Sequence, residues 1–260
     1  MDLGLAGKRA LVLSSSRGLG LGVAQSLARE GAEIMMTARS GERLEAAAKA
    51  INAAGPGRAH TVVGDLAGST DAIYEAAVRA LGGVDILIAN TGGPPARTAL
   101  NVEVEGWTPQ FEAMVLPVFK MAALVLPGMR ERGWGRILTI ASTGVVQPIP
   151  NLVMSNALRS SIVGWSKTLA SEVAKDGITA NLVLPGRIHT DRVDELDAAN
   201  AKAQGKSPDE IAAAARAAIP AGRYGRVEEF ADTVCFLASE RASYITGSLI
   251  RVDGGAVRSI

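Results

Sequence analysis

Two short stretches carry the most readable chemistry. Ser14-Ser15-Ser16-Arg17-Gly18-Leu19-Gly20 lies between a short apolar run, Arg9 to Leu13, and a segment from Leu19 to Glu30 whose apolar residues recur at helical spacing. A strand–turn–helix of this kind presents free N–H groups and the positive end of a helix dipole to a pyrophosphate, and glycine lets the backbone approach it. Gly18, Leu19 and Gly20 form the expected dinucleotide cradle. The second stretch is the end of the next apolar run, Glu33 to Ala38, where Arg39 follows at once and no Asp or Glu occurs between Met35 and Gly41. An acidic residue there would hold a ribose 2′-hydroxyl; a guanidinium favours a 2′-phosphate, so NADP(H) is preferred to NAD(H). Arg17 and the hydroxyls of Ser14 to Ser16 are close enough in sequence to assist the same phosphate.

Other chemistries are poorly supplied. The single Cys235 makes neither an internal disulfide nor a zinc cage, and His60 and His189 are too few for a histidine metal site, so no metal is expected. Lys and Arg number 27 against 26 Asp and Glu, a net charge of +1 without a basic cluster, which argues against nucleic acid as a partner. No apolar run reaches the roughly 18 residues of a membrane span, and Ala10 to Leu13 is too short for a signal-peptide core. A protein of a reducing, cytoplasmic compartment is expected. Trp107, Trp134, Trp165 and Cys235 read as packing residues.

These stretches sit in an alternation that runs the length of the 260 residues. Strands are predicted at 9–13, 33–38, 60–64, 85–89, 136–140, 178–184 and 249–252. Helices are predicted at 19–30, 42–54, 69–81, about 107–132, about 155–175 and 228–237. Seven strands read as continuous apolar runs between helices, which specifies one α/β domain, Rossmann-type and doubly wound, with a parallel sheet covered on both faces. The segment 191–219 breaks the alternation; it is polar and Ala-rich, with Gly205 and Pro208, and reads as one or two helices inserted beside the site.

With these elements in place, the chain resembles the short-chain dehydrogenase/reductase family over essentially its whole length. The matching stretches are Gly18-Leu19-Gly20, Gly64-Asp65-Leu66, Ala89-Asn90-Thr91-Gly92, Ile140-Ala141-Ser142, Leu184-Pro185-Gly186 with Thr190, and Tyr244-Ile245-Thr246-Gly247 leading to Val252-Asp253-Gly254-Gly255. Within the family it is most similar to 3-oxoacyl-[acyl-carrier protein] reductase-like members, in a branch with a Thr-Gly-Gly-Pro-Pro turn, here Thr91 to Pro95. The resemblance implies that Asp65 and Leu66 contact the adenine, Asn90 and Gly92 the neighbouring ribose region, and Pro185, Gly186, Ile188 and Thr190 the nicotinamide end. It also implies a homotetramer, with which the apolar Leu158, Ile162, Trp165, Leu169, Leu249 and Ile250 are compatible, although the same residues read equally as core.

The departures from the family pattern concern the chemistry. The family opens its first motif with Thr-Gly, where this chain has Leu13-Ser14. Its catalytic set is Asn, Ser, Tyr and Lys; counted from Ser142, the Tyr and Lys positions fall on Ser155 and Arg159, and the Asn position on Met114. Tyrosine supplies the proton for the substrate oxygen, and lysine lowers its pKa while holding the nicotinamide ribose. A serine hydroxyl is a far weaker acid, and a guanidinium is effectively never deprotonated. Residues i and i+4 share a helix face, so Ser155 and Arg159 point the same way, and Arg159 can fix a ribose or an anionic oxygen. Tyr74, Tyr224 and Tyr244 are not positioned in sequence to substitute.

Three substitutes follow. Ser142 and Arg159 can polarise a carbonyl while water supplies the proton; His189 can act as the acid; or the substrate needs no proton in its rate-limiting step. The expected function is an NADP(H)-dependent oxidoreductase acting between a carbonyl and an alcohol of a small molecule, with an atypical proton-transfer site. The alternative is an NADP(H)-binding homologue without turnover, a sensor or an inactive subunit.

Overall fold

The computed structural model describes residues 2–259. Its order is β1 (Arg9–Val12), α1 (Gly18–Arg29), β2 (Glu33–Ala38), α2 (Gly41–Ala54), β3 (Arg58–Val63), α3 (Thr70–Leu81), β4 (Ile86–Ala89), α4 (Trp107–Met114), α5 (Leu116–Arg132), β5 (Gly135–Ile140), α6 (Val153–Val173), β6 (Ile178–Pro185), α7 (Asp191–Gln204), α8 (Pro208–Ala217), α9 (Val227–Ala238) and β7 (Leu249–Val252). All seven strands pair in parallel, in the order β3-β2-β1-β4-β5-β6-β7. This is the Rossmann-type, doubly wound architecture. The order reverses between β1 and β4, and open sheets of this kind bind ligands at that switch, beyond the carboxyl ends of the strands.

Two apolar layers hold the sheet. Alternate residues of the central strands point to opposite faces, so Leu11 and Leu87 join a core beneath α3, α4, α5 and α6, while Val12 and Ile88 join one beneath α1, α2 and α9. Two elements depart from the expected pattern. β3 alternates exposed and covered residues instead of forming a continuous apolar run, because it is the sheet's edge and packs on one side only. The expected helix over 107–132 is two helices broken at Val115, with Pro117 in the first turn of the second, where its missing N–H costs nothing.

The expectation that no stretch is long and apolar enough for a membrane span is corrected at Val104–Arg132, which contains an 18-residue window with a mean hydropathy of 1.5. Its apolarity has a local use: Met114, Val115, Val118, Met121, Ala122, Val125 and Met129 are all buried in the core under this segment. Burying each large side chain stabilises the fold by roughly 1.5–3 kcal/mol.

Candidate active site

The carboxyl edge of the sheet gathers most of the residues singled out in the sequence. After β1 the chain turns through Ser14, whose φ of +49° lies in the left-handed region that L residues seldom adopt, and Gly18 at φ +58°. Ser14 is held there from across the switch point: Asn90, following β4, donates from Nδ2 to the Ser14 carbonyl oxygen at 3.2 Å. Gly20 fits beneath this bond, since a Cβ on it would lie 2.4 Å from the Ser14 oxygen and 2.9 Å from Asn90 Nδ2. Asn90 therefore acts as a strut between two loops.

Helix α1 starts without a side-chain cap and without an acidic residue in its first turn. Its first N–H groups and dipole are consequently available to an anion. The flank near Gly18 and Gly92 is open: a Cβ on Gly18 would meet only Thr190 Cγ2, at 3.8 Å, and one on Gly92 would meet nothing within 4 Å. These are features that fit a dinucleotide, with a free helix N-terminus and backbone that a ligand can approach.

The serines of the turn separate into different uses. Ser15 is fully buried; its hydroxyl donates to the Val12 oxygen at 2.9 Å and accepts from the Thr37 N–H at 3.1 Å, stitching β1 to β2. Its expected role at a phosphate is corrected, because its hydrogen-bonding capacity is spent inside the protein. Ser14 and Ser16 remain half-buried at the cleft. Arg17 faces α7, 3.3 Å from Asp191 and 3.8 Å from Glu195. Arg39 is 83% exposed and only loosely paired, 4.0 Å from Asp65. Leu66 is half-buried beside them.

On the other side of the switch, Ser142 follows β5 and accepts the Gly144 N–H on Oγ at 3.1 Å, which leaves its own hydroxyl hydrogen to donate. Ser155 lies in the first turn of α6, and Arg159 one turn further along the same face. Both are buried. Arg159 is 7% exposed, donating from Nη1 to the Ile140 oxygen at 2.9 Å and from Nη2 to the Gly92 oxygen at 3.0 Å. It joins the ends of β4, β5 and α6. Among the described residues no carboxylate lies within salt-bridge distance of it, and burial pushes its pKa down to about 10. Met114 is buried in the core, its carbonyl accepting from Thr91 Oγ1 at 3.2 Å.

The loop after β6 is shaped from behind. Gly186 donates its N–H to the Val252 oxygen at 2.9 Å, and a Cβ there would press on Asp253. Ile188 is buried and turns its side chain into the core against Gly225. His189 points away toward α7, 3.4 Å from Asp194. No sequence signal marked Asp197, a buried carboxylate of α7 that receives both Arg187 Nη1 and the Tyr224 hydroxyl, the latter at 2.6 Å. Burial first, and then this hydrogen bond, raises the Tyr224 pKa. Arg192 adds a second tie from α7, donating to the Pro94 oxygen at 3.2 Å. Groups of His, Cys, Asp and Glu suited to hold a metal are absent among the described residues.

Comparison with known proteins agrees with this geometry. Residues 13–257 match the family model described as enoyl-(acyl carrier protein) reductase. The chain is 36% identical over 255 residues to the 3-oxoacyl-[acyl-carrier-protein] reductase FabG of Vibrio cholerae, covering 97% of this chain and 98% of that one. The chain belongs to the short-chain dehydrogenase/reductase family. The Escherichia coli FabG is also 36% identical, over 251 residues, 96% of this chain and 97% of that protein. Among solved structures, L-sorbose reductase from Gluconobacter frateurii, complexed with NADPH and L-sorbose, superposes with a TM-score of 0.94 at 35% identity over the whole of both chains. An actinorhodin polyketide ketoreductase variant with NADPH gives a TM-score of 0.90 at 31% identity, covering 97% of this chain and 98% of that one.

Proposed function

We propose that this family member is an NADPH-dependent oxidoreductase that reduces a small carbonyl-bearing substrate, with Ser142, Ser155 and Arg159 at the positions of the family's Ser, Tyr and Lys. The observation that carries the reading is the switch point itself, where the start of α1 is uncapped, Asn90 ties β4 to the Ser14 turn, and Arg159 holds the Gly92 carbonyl. Relatives solved with NADPH support the same cofactor here. NADPH supplies the hydride. The protein's part is to bind, orient and stabilise charge.

Gly18, Leu19 and Gly20 present N–H groups to the pyrophosphate, and Arg17 exchanges Asp191 and Glu195 for a phosphate oxygen. Arg39, poorly satisfied by Asp65, closes on the 2′-phosphate, while Asp65 and Leu66 flank the adenine. Asn90 and Gly92 frame the ribose; Pro185, Gly186, Ile188 and Thr190 frame the nicotinamide end. Ser142 donates to the substrate oxygen, and Arg159 supplies a fixed positive charge beside it. Ser155 is a far weaker acid than tyrosine, and the Nη1 and Nη2 atoms of Arg159 are engaged with the Ile140 and Gly92 carbonyls, so proton delivery in this site is atypical. The working state is a cytoplasmic homotetramer.

Calorimetric titration with NADPH and NADH tests this. NADPH is expected to bind tighter, and Arg39→Ala should remove a preference of about tenfold to 100-fold, the value of one or two charge-assisted hydrogen bonds. If neither nucleotide binds, the proposal fails. The Ser155 and Arg159 positions favour one second reading, an NADP(H)-binding protein without turnover; it predicts NADPH binding with no NADPH oxidation by any carbonyl compound.

A further inference from the structure

Strand β3 is the outer edge of the sheet, and only half of its backbone is paired with β2. In a parallel pair, alternate residues turn their N–H and C=O together toward the neighbouring strand or away from it. Gly64 donates to the Ala38 oxygen at 3.1 Å, so Arg58, His60 and Val62 face β2, while Ala59, Thr61 and Val63 turn outward. Ala59 has a substitute partner. Asn52 of α2 accepts the Ala59 N–H on Oδ1 at 2.7 Å and donates from Nδ2 to the Ala59 oxygen at 3.0 Å, the exchange that a further strand would make. Thr61 and Val63 have no such partner among the described residues, and both are exposed.

Two helices wall this edge, α2 on one face of the sheet and α3 on the other. Between them a cavity of about 750 Å³ follows β3, with Lys49 on the α2 wall, Arg79 on the α3 wall, and Met35 and Val62 at its base. A groove with walls on both faces keeps out the edge of a second copy, which is walled in the same way, and admits a single extended chain. The walls are also charged. Among the described residues Lys49 pairs with no carboxylate, and Arg79 pairs only with Glu75, at 3.5 Å on the exposed helix surface. Glu45 is the one acidic residue of the lining.

We propose that this groove binds an extended, acidic segment of a partner protein, which adds to the sheet as a further strand beyond β3. Its main chain takes up the N–H and C=O groups of Thr61 and Val63. Its side chains alternate between the two walls, so a carboxylate meets Lys49 or Arg79 whichever way the segment is set. Main-chain bonds hold the segment, and the two cations select it. Asn52 closes the groove at Ala59, so the paired stretch is short and a peptide is held with a Kd of about 1 mM.

The test titrates the full-length protein with a capped hexapeptide of alternating valine and glutamate, with its valine–lysine counterpart, and with the fully N-methylated glutamate peptide, while amide exchange is followed by NMR. At about 10 mM of the glutamate peptide, exchange at Thr61 and Val63 should slow about tenfold, and Ala59, already bonded to Asn52, should not change. The lysine and N-methylated peptides should bind at least about tenfold more weakly. Lys49 and Arg79 are both exposed, so the double variant Lys49→Glu, Arg79→Glu should stay folded, as thermal melting will check, and should prefer the lysine peptide. No slowing at Thr61 and Val63, or equal binding of the N-methylated or lysine peptide, overturns the proposal. Protection of the same amides that grows with protein concentration alone also overturns it, by giving the edge to a second copy.

Discussion

Arg136 and Arg159 are both buried, both lack a carboxylate within 4.0 Å among the described residues, and both rest on backbone carbonyls, at opposite ends of the sheet. Arg136, at the amino end, is closed in. Its guanidinium lies 4.3 Å from the centre of the Trp134 ring and donates to the oxygens of Ser239 at 3.1 Å, Gly135 at 2.9 Å and Gly177 at 3.3 Å. Burial lowers its pKa, and Glu240 offsets part of that effect. Arg159, at the carboxyl end, rests partly on the carbonyl of an exposed glycine and has no acidic group to offset its burial. The same residue type under similar burial holds three carbonyls and an indole ring at the amino end, and at the carboxyl end two carbonyls, one of them on an exposed glycine.

That contrast is broken most directly by removing each charge. Arg136→Leu strips donors from the carbonyls of Ser239 and Gly135, both buried, and is expected to cost about 3 kcal/mol in denaturant unfolding. Arg159→Leu should cost about 1 kcal/mol, because water reaches the Gly92 carbonyl once the guanidinium is gone and the uncompensated charge disappears with it. Equal losses would mean that Arg159 is a brace like Arg136.

Asp85 sharpens the amino-end reading. It accepts from Arg9 Nε at 2.7 Å and Nη2 at 2.6 Å, and Arg132 Nε lies 2.9 Å away. Burial alone would raise its pKa, but the hydrogen bonds and charges of the two arginines outweigh it and hold the carboxyl below its usual 3.8. A carboxylate with a depressed folded pKa stabilises fully above its unfolded pKa, and that stability is lost as pH falls through the folded value. Stability should therefore fall from about pH 4 downward, and Asp85→Asn should remove about 2 kcal/mol at pH 7 and flatten that acid limb. An unchanged limb in the variant would assign the acid loss to other carboxylates.

The element order was legible because short continuous apolar runs alternate with segments of helical period along the chain, and the first turn because glycine and a strand–helix junction coincide there. Less was legible where the cause lies across the fold. β3 reads as a buried strand until its edge position is known. Ser15 looks like its two neighbours, yet the proximity of Thr37 decides its use. Pro117 marked the start of α5, and a proline in a first helical turn was the available signal for the break at Val115. The spacing of Ser155 and Arg159 placed them on one helix face, but the absence of any acid beside Arg159 depends on what α4, β4 and β5 bring to it. Asp197 had no signal, since its partners Arg187 and Tyr224 lie 10 and 27 residues away and meet it only when α7 packs.

The smallest expected effect concerns that anchor. Tyr224→Phe removes one of two donors from the buried Asp197 carboxylate and leaves Arg187 in place. The loss should be about 1 kcal/mol, local to the anchor, since a charged acceptor keeps one strong partner. Amide exchange in α7, residues 191–204, should then speed up severalfold while β4, β5 and β6 keep their protection. With NADPH bound, Arg17 is expected to have left Asp191 and Glu195, so Tyr224→Phe should loosen α7 further in the complex than in the free protein. If cofactor instead protects α7 equally in both proteins, the helix is held by the cofactor and not by Asp197, and the carboxyl end is less self-contained than the amino end.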